Sequence, residues 1–246
     1  MIALESDSGT KQRDHMVEII RVLIVAGIPT GALVVGLGSR IAMFVLRVTS
    51  PDRVHGVRSD DDFVIGKVTL GGTYNLLQIG AAVGIIGVGT YLLVAPWLIG
   101  PLWFRRLTTG LASAVVAGSM LVHDRGIDFH LLQPTWLAIG LFVALPGLFG
   151  IAIAAAVDGV RRPDSWTTRG RRRWVLAVVS VACFPATLVV LGAAVAVTAL
   201  AELLRAAGFV RLMRNIPFHA LVIRAIWLLI AAAGLVALVN DITAIT

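Results

Sequence analysis

Residues 72–94 read GTYNLLQIGAAVGIIGVGTYLLV, a run without one charged side chain. A helix needs about 20 predominantly apolar residues to cross the hydrocarbon core of a bilayer, and this run supplies them. Tyr74 and Tyr91 bracket it. Their separation is about 26 Å along a helix, close to the spacing of two interfacial aromatic belts. Backbone amides inside lipid need internal partners, so an open chain crosses as helix.

The rest of the chain has the same character. Of 246 residues, 58% are hydrophobic and 14% charged, and the mean hydropathy is +0.90. Soluble domains carry about 25% charged residues. This composition excludes a soluble enzyme, a disordered chain and a nucleic-acid-binding domain, despite a net charge of +7. Length and apolarity predict an all-α polytopic bundle of six spanning helices, over residues 22–46, 72–94, 107–122, 132–157, 174–201 and 218–240. The third run is short and holds Thr108, Thr109, Ser113 and Ser119, which makes it the alternative re-entrant segment. Residues 1–17 read as a polar tail, and 18–246 as one transmembrane domain.

Orientation follows from Lys and Arg, which favour cytoplasmic loops. With six crossings, one side holds eleven basic residues and the other eight. The loop RRPDSWTTRGRRR (161–173) weighs most. This count places both termini in the cytoplasm. The 161–173 loop is also suited to holding anionic inner-leaflet lipid. The segment Ala199–Arg214 reads as a helix end bending into the interface.

Small residues recur at four-residue spacing: Gly27 and Gly31, Gly80 and Gly84, Gly140 and Ala144. Such spacing lets helix backbones approach closely, first of all within the chain, with dimerisation as the other use. Pro29, Pro146 and Pro185 lie inside runs, where each removes a donor and kinks its helix.

Charges inside a span are candidates for function. Arg40 and Arg224 are the two. Under the six-span reading both lie in the outer half, with Asn75 and Gln78 on one face of the second span. Four polar side chains would then converge on an outward-facing pocket. Two guanidinium forks suit a phosphate or carboxylate, so the expected ligand is an anion or a lipid headgroup. The plainer account is that each arginine snorkels separately to lipid phosphates. His123, Asp124, Asp128 and His130 make a weaker pattern, HDRGIDFH, able to hold a divalent metal; solvated loop residues are the simpler account. Ser59 before Asp60, Asp61 and Asp62 reads as a helix cap followed by an acidic first turn. Ser50-Pro51-Asp52 follows the same logic, with proline at the first helical position. Cys183 lies in an apolar run and reads as a buried, inert thiol. The P-loop, the GxSxG elbow and HExxH are not in the sequence.

GLGSRIAMFVLRVTSP (36–51), SDDDFVIGKVTLGGTYNLL (59–77) and IDFHLLQPTWLAIGLFVALPGLFG (127–150) resemble a family of multi-pass membrane proteins of actinobacteria. The resemblance spans a little under half of the chain and includes Arg40, Asp60–Asp62, Thr73 and Asn75. It implies a bacterial plasma-membrane location and carries over no activity; Arg224 lies outside it. The leading expectation is a non-enzymatic accessory or lipid-interacting membrane protein. The rivals are a small transporter or binder working through the outer pocket, and a membrane enzyme using the His/Asp loop at the outer face. Membrane lipids are the expected partners, together with a second copy of the chain or another membrane protein. Nucleic acid is not a partner, and no cofactor is implied.

Overall fold

The computed structural model describes residues 13–51, 69–123, 132–162, 164–165, 172–206 and 219–245. The described residues are helical, with no strand among them. The helices are α1 (Arg13–Thr49), α2 (Leu70–Val94), running on as one tight turn through Trp97, α3 (Leu102–Leu121), α4 (Thr135–Val160), α5 (Arg172–Cys183), α6 (Thr187–Ala206) and α7 (His219–Ile245).

Six unbroken crossings are expected from hydropathy. Among the described residues, four helices are long and apolar enough to cross a membrane: Arg13–Thr49, Leu70–Trp97, Thr135–Val160 and Ala220–Ile245. The expected fifth span is two shorter helices, parted at Phe184–Ala186. Pro185 has no N–H to give to Val181. The next bonds tighten, with Thr187 N–H donating to Phe184 O and Leu188 N–H to Pro185 O. That leaves the Cys183 carbonyl without its usual helical donor, and the Tyr74 hydroxyl supplies one at 3.0 Å. The expected third span is the core of α3, which has 20 residues but carries Arg105 and Arg106 near its start. The polar tail gives way to helix at Arg13.

Close contacts fix the direction of each helix. Gly27 meets Gly84, Gly31 meets Gly80, and Gly36 meets Leu77, so α1 and α2 are antiparallel. Arg21 reaches Val160 at one end of α1 and Ser50 reaches Gln133 at the other, so α1 and α4 are antiparallel. Gly110 lies against Ile151 and Gly118 against Val143, so α3 and α4 are antiparallel too. Gly118 also meets Leu238, and Gly234 meets Val115, so α7 runs parallel to α3. The end of the bundle holding the start of α1 is called the base, the other the top. α4 ends at the base and α7 starts there. α5 and α6 therefore lie between a helix that ends at the base and one that starts there. Ala177 of α5 and Val190, Leu191 and Ala194 of α6 join one basal cluster with Val22, Ile85 and Val157. A second cluster at the top gathers Leu46, Val122, Leu132 and Ala138.

The α1–α2 seam depends on glycine and on an irregular α1. A helical residue meets its neighbours four along, yet the third seam glycine of α1 is five along, at Gly36. Wide turns over Leu23–Gly27 and Gly31–Leu37 make up the difference. In the second, the Gly38 N–H reaches back five residues to Leu33 O. Each added residue rotates the face enough to keep Gly36 on α2. The turns flank Pro29, whose lost donor is a recognised cause of such distortions. A methyl group at Gly84 would collide with the Gly27 carbonyl and lie 2.9 Å from Gly31 Cα. The Gly27/Gly31 and Gly80/Gly84 spacings thus serve packing within the chain. Gly140 has nothing within 4 Å of the place a methyl would occupy and takes no part in a seam.

Gly84→Val is expected to cost about 3 kcal/mol, the upper range for an overpacked site. Gly140→Ala is expected to stay within about 0.5 kcal/mol. Reversible unfolding of the detergent-solubilised protein distinguishes the two.

Candidate functional site

The helix arrangement leaves one wide cleft between α7 and the body formed by α1–α4. Its volume is about 1440 Å³, more than the roughly 300–1,000 Å³ of small-molecule pockets. Its long walls are apolar, built from side chains such as Val83, Leu111, Leu145 and Leu228. Polar groups gather at the two ends. Arg40, Arg47, Ser39 and Asn75 line the top, and Arg224 with Thr90, Thr108 and Thr109 lines the base.

The four residues expected to form one outer pocket are divided. Arg40 Nε donates to Thr73 Oγ1 at 3.0 Å, in the first turn of α2. Arg224 Nε donates to Trp97 O at 3.2 Å, just past the last turn. Thr73 and Trp97 are separated by about 36 Å of helix, so the two guanidiniums lie at opposite ends of the cleft. Arg40, Asn75 and Arg224 line the same cleft, but α7 runs from base to top, which puts Arg224, its sixth residue, at the base. Asn75 stays with Arg40 at the top. Gln78 does not line the cleft; it is 9% exposed and faces the broken helix pair. Its Nε2 donates to Tyr74 Oη at 2.8 Å, and the Tyr74 hydroxyl continues to Cys183 O. Gln78 Oε1 is buried without a hydrogen-bond partner among the described residues.

Two further expectations change. Tyr91 is not an interfacial residue: it is 4% exposed and lies beside Asp158, Arg105 and Arg106. Cys183 is exposed, because the break at Pro185 turns it off the packed face. Ser50 closes α1, and its Oγ accepts from Gln133 N–H at 3.0 Å; the helix expected to begin at Pro51 lies outside the described residues. His123 is exposed, while Asp124, Asp128 and His130 lie outside the described residues, as do Ser59 and Asp60–Asp62. Among the described residues no group of three His, Cys, Asp or Glu could hold a metal ion. Residues 207–214 of the expected interfacial segment also lie outside the described residues.

Beside Arg224, the base carries three arginines, Arg21, Arg105 and Arg106, that the sequence assigns only to topology. Helix C-termini present unpaired carbonyls and a negative dipole end, which favour cations. Two C-termini end here, those of α2 and α4, and each receives two arginines. Arg105 Nη2 donates to Ala95 O at 2.9 Å and Arg224 to Trp97 O, both at the end of α2. Arg106 pairs with Asp158 at 3.1 Å in the last turn of α4. Arg21, only 4% exposed, donates to Val160 O at 3.4 Å and pairs with Glu18 at 2.6 Å. The available sequence signal was Asp158 itself, the one acidic residue in α4.

No known protein family, curated protein or solved structure matches the chain.

Asp158→Asn is expected to cost about 2 kcal/mol, the range for a hydrogen bond to a charged group. Arg106→Gln should cost about the same, and the double variant little more than either single one. Non-additivity of that size in an unfolding cycle is the check.

Proposed function

We propose that the protein is a five-crossing membrane protein whose cleft holds an anionic amphiphile, a lipid with a negatively charged headgroup. The crossings are α1, α2, α3, α4 and α7; the α5–α6 pair enters from the base and returns to it. Helix direction supports this path, and the basic residues support it independently. Five crossings move Arg205, Arg211 and Arg214 to the side that holds the 161–173 loop. The split becomes fourteen basic residues at the base against five at the top, with Arg40 and Arg224 left out of both counts. The six-span reading gives eleven against eight. The larger count marks the cytoplasmic side. The base and the N-terminus then face the cytoplasm, and the C-terminus faces the outside.

The cleft carries the binding reading. It is apolar for most of its length and ends on a guanidinium at each mouth. Acyl chains fit such walls, and a headgroup phosphate fits the arginine fork. The mouths lie about one hydrocarbon thickness apart, so each meets the headgroup level of its own leaflet.

Two measurements test this. An alkaline phosphatase fused after residue 246 is expected to be active, and a green fluorescent protein there dark. A fluorescent fusion would overturn the five-crossing path. In native mass spectrometry, the wild type is expected to retain anionic diacyl lipid over phosphatidylcholine. Arg40→Gln with Arg224→Gln should reduce that preference about 30-fold, at about 1 kcal/mol per basic residue. Equal retention of both lipids by the wild type would overturn the cleft reading.

A further inference from the structure

The two mouths of the cleft differ in chemistry, and the difference bears on which headgroup the base accepts. This inference rests on the cleft reading above and adds the identity of the headgroup.

At the base, α7 and α3 run side by side in parallel register. Gly234 lies against Val115 and Val116, and Leu238 against Gly118. Carried back along both helices, that register sets Arg224 level with the first turns of α3, about one turn from Thr108 and Thr109. All three line the cleft, and so does Thr90 of α2. Arg224 spends only its Nε on protein, at Trp97 O. Its terminal nitrogens make no hydrogen bond among the described residues and are available to two oxygens of a phosphate.

The threonines have the opposite polarity. Each hydroxyl gives its proton to its own helix. Thr90 donates to Ile86 O at 3.0 Å, Thr108 to Phe104 O at 2.9 Å and Thr109 to Arg105 O at 2.7 Å. A hydroxyl whose proton is committed still has an acceptor lone pair. What these side chains can offer the cleft is therefore acceptor oxygen, which repels a bare phosphate and suits a donor attached to one. Arg40 at the top sits differently: its hydroxyl neighbour Thr73 already accepts from the guanidinium and donates to Thr69 O at 2.9 Å.

We propose that the basal mouth is a site for phospholipid whose phosphate carries a hydroxyl-bearing substituent, with Arg224 on the phosphate and the oxygens of Thr90, Thr108 and Thr109 accepting from the substituent's hydroxyls. Phosphatidylglycerol has both features. Phosphatidic acid has the phosphate without the headgroup glycerol, and phosphatidylcholine has neither a net charge nor a hydroxyl donor.

The test uses the full-length protein in detergent, with native mass spectrometry against each of these lipids at matched acyl length. Wild type is expected to hold phosphatidylglycerol about fivefold or more tightly over phosphatidic acid, the worth of one to two hydrogen bonds. Thr108→Val with Thr109→Val should remove that preference and leave phosphatidic acid unchanged, and Thr108→Ser with Thr109→Ser should restore it. Arg224→Gln should weaken both anionic lipids. Equal affinity of wild type for the two anionic lipids would overturn the hydroxyl assignment while leaving the cleft reading in place. Failure to retain either over phosphatidylcholine would overturn the cleft reading and this inference with it. Glycerol 3-phosphate without acyl chains is expected not to displace the lipid at equal concentration; displacement would assign the site to a free phosphate ester instead.

Discussion

Where α1 crosses α2, no side chain separates the two backbones. Gly27, Gly31, Gly80 and Gly84 meet carbonyl to Cα. Lipid tails are as apolar as leucine, so burial of apolar surface gives helices little reason to associate in a bilayer. Close packing of small residues supplies it instead. This contact sets the distance and direction of α2 relative to α1, and therefore brings Thr73 to Arg40 and sends the far end of α2 to the base. The wide turns of α1 extend the seam to Gly36, and Pro29 lies between them. A smaller seam of the same kind, Gly110 and Gly147 with Ala114, joins α3 to α4.

The ends of the helices follow a second rule. Helix ends and breaks recruit partners from other helices. At the base these are arginines: Arg105, Arg224 and Arg21 donate to the carbonyls of Ala95, Trp97 and Val160, and Arg106 to the Asp158 carboxylate. At the Pro185 break the donor is the Tyr74 hydroxyl, itself held by Gln78. The same rule explains why Arg224 is divided between a helix end and the cleft.

Much of the fold is legible in the sequence. Helical content, four helices long and apolar enough to cross a membrane, and the Gly27/Gly31 and Gly80/Gly84 pairs follow from composition and spacing alone. The path of residues 174–201 does not, because hydropathy counts apolar residues and cannot see what one proline does to a run. Pro185 is visible in residues 174–201, but whether it bends a crossing or breaks it depends on the Tyr74 hydroxyl reaching the Cys183 carbonyl across the bundle. That one ambiguity governs the site. With six crossings Arg224 belongs with Arg40; with α7 reversed it belongs with Trp97. Asn75 and Gln78, three residues apart on α2, are a similar case. Both lie on one broad face, yet one borders the cleft and the other the helix pair, because the cleft edge passes between them. The arginine-to-carbonyl contacts at the base were legible only as charge near span ends, since the partners are separated by up to 139 residues.

α7 stands apart from this scheme. Only 6% of its apolar window is buried; it touches the body along α3, at Trp97 and, through Leu238, Ile242 and Ile245, in the top cluster. It is also one wall of the cleft. A wall with so little of its surface buried against the rest of the fold costs least to displace, so the width of the cleft is the dimension that the packing fixes least.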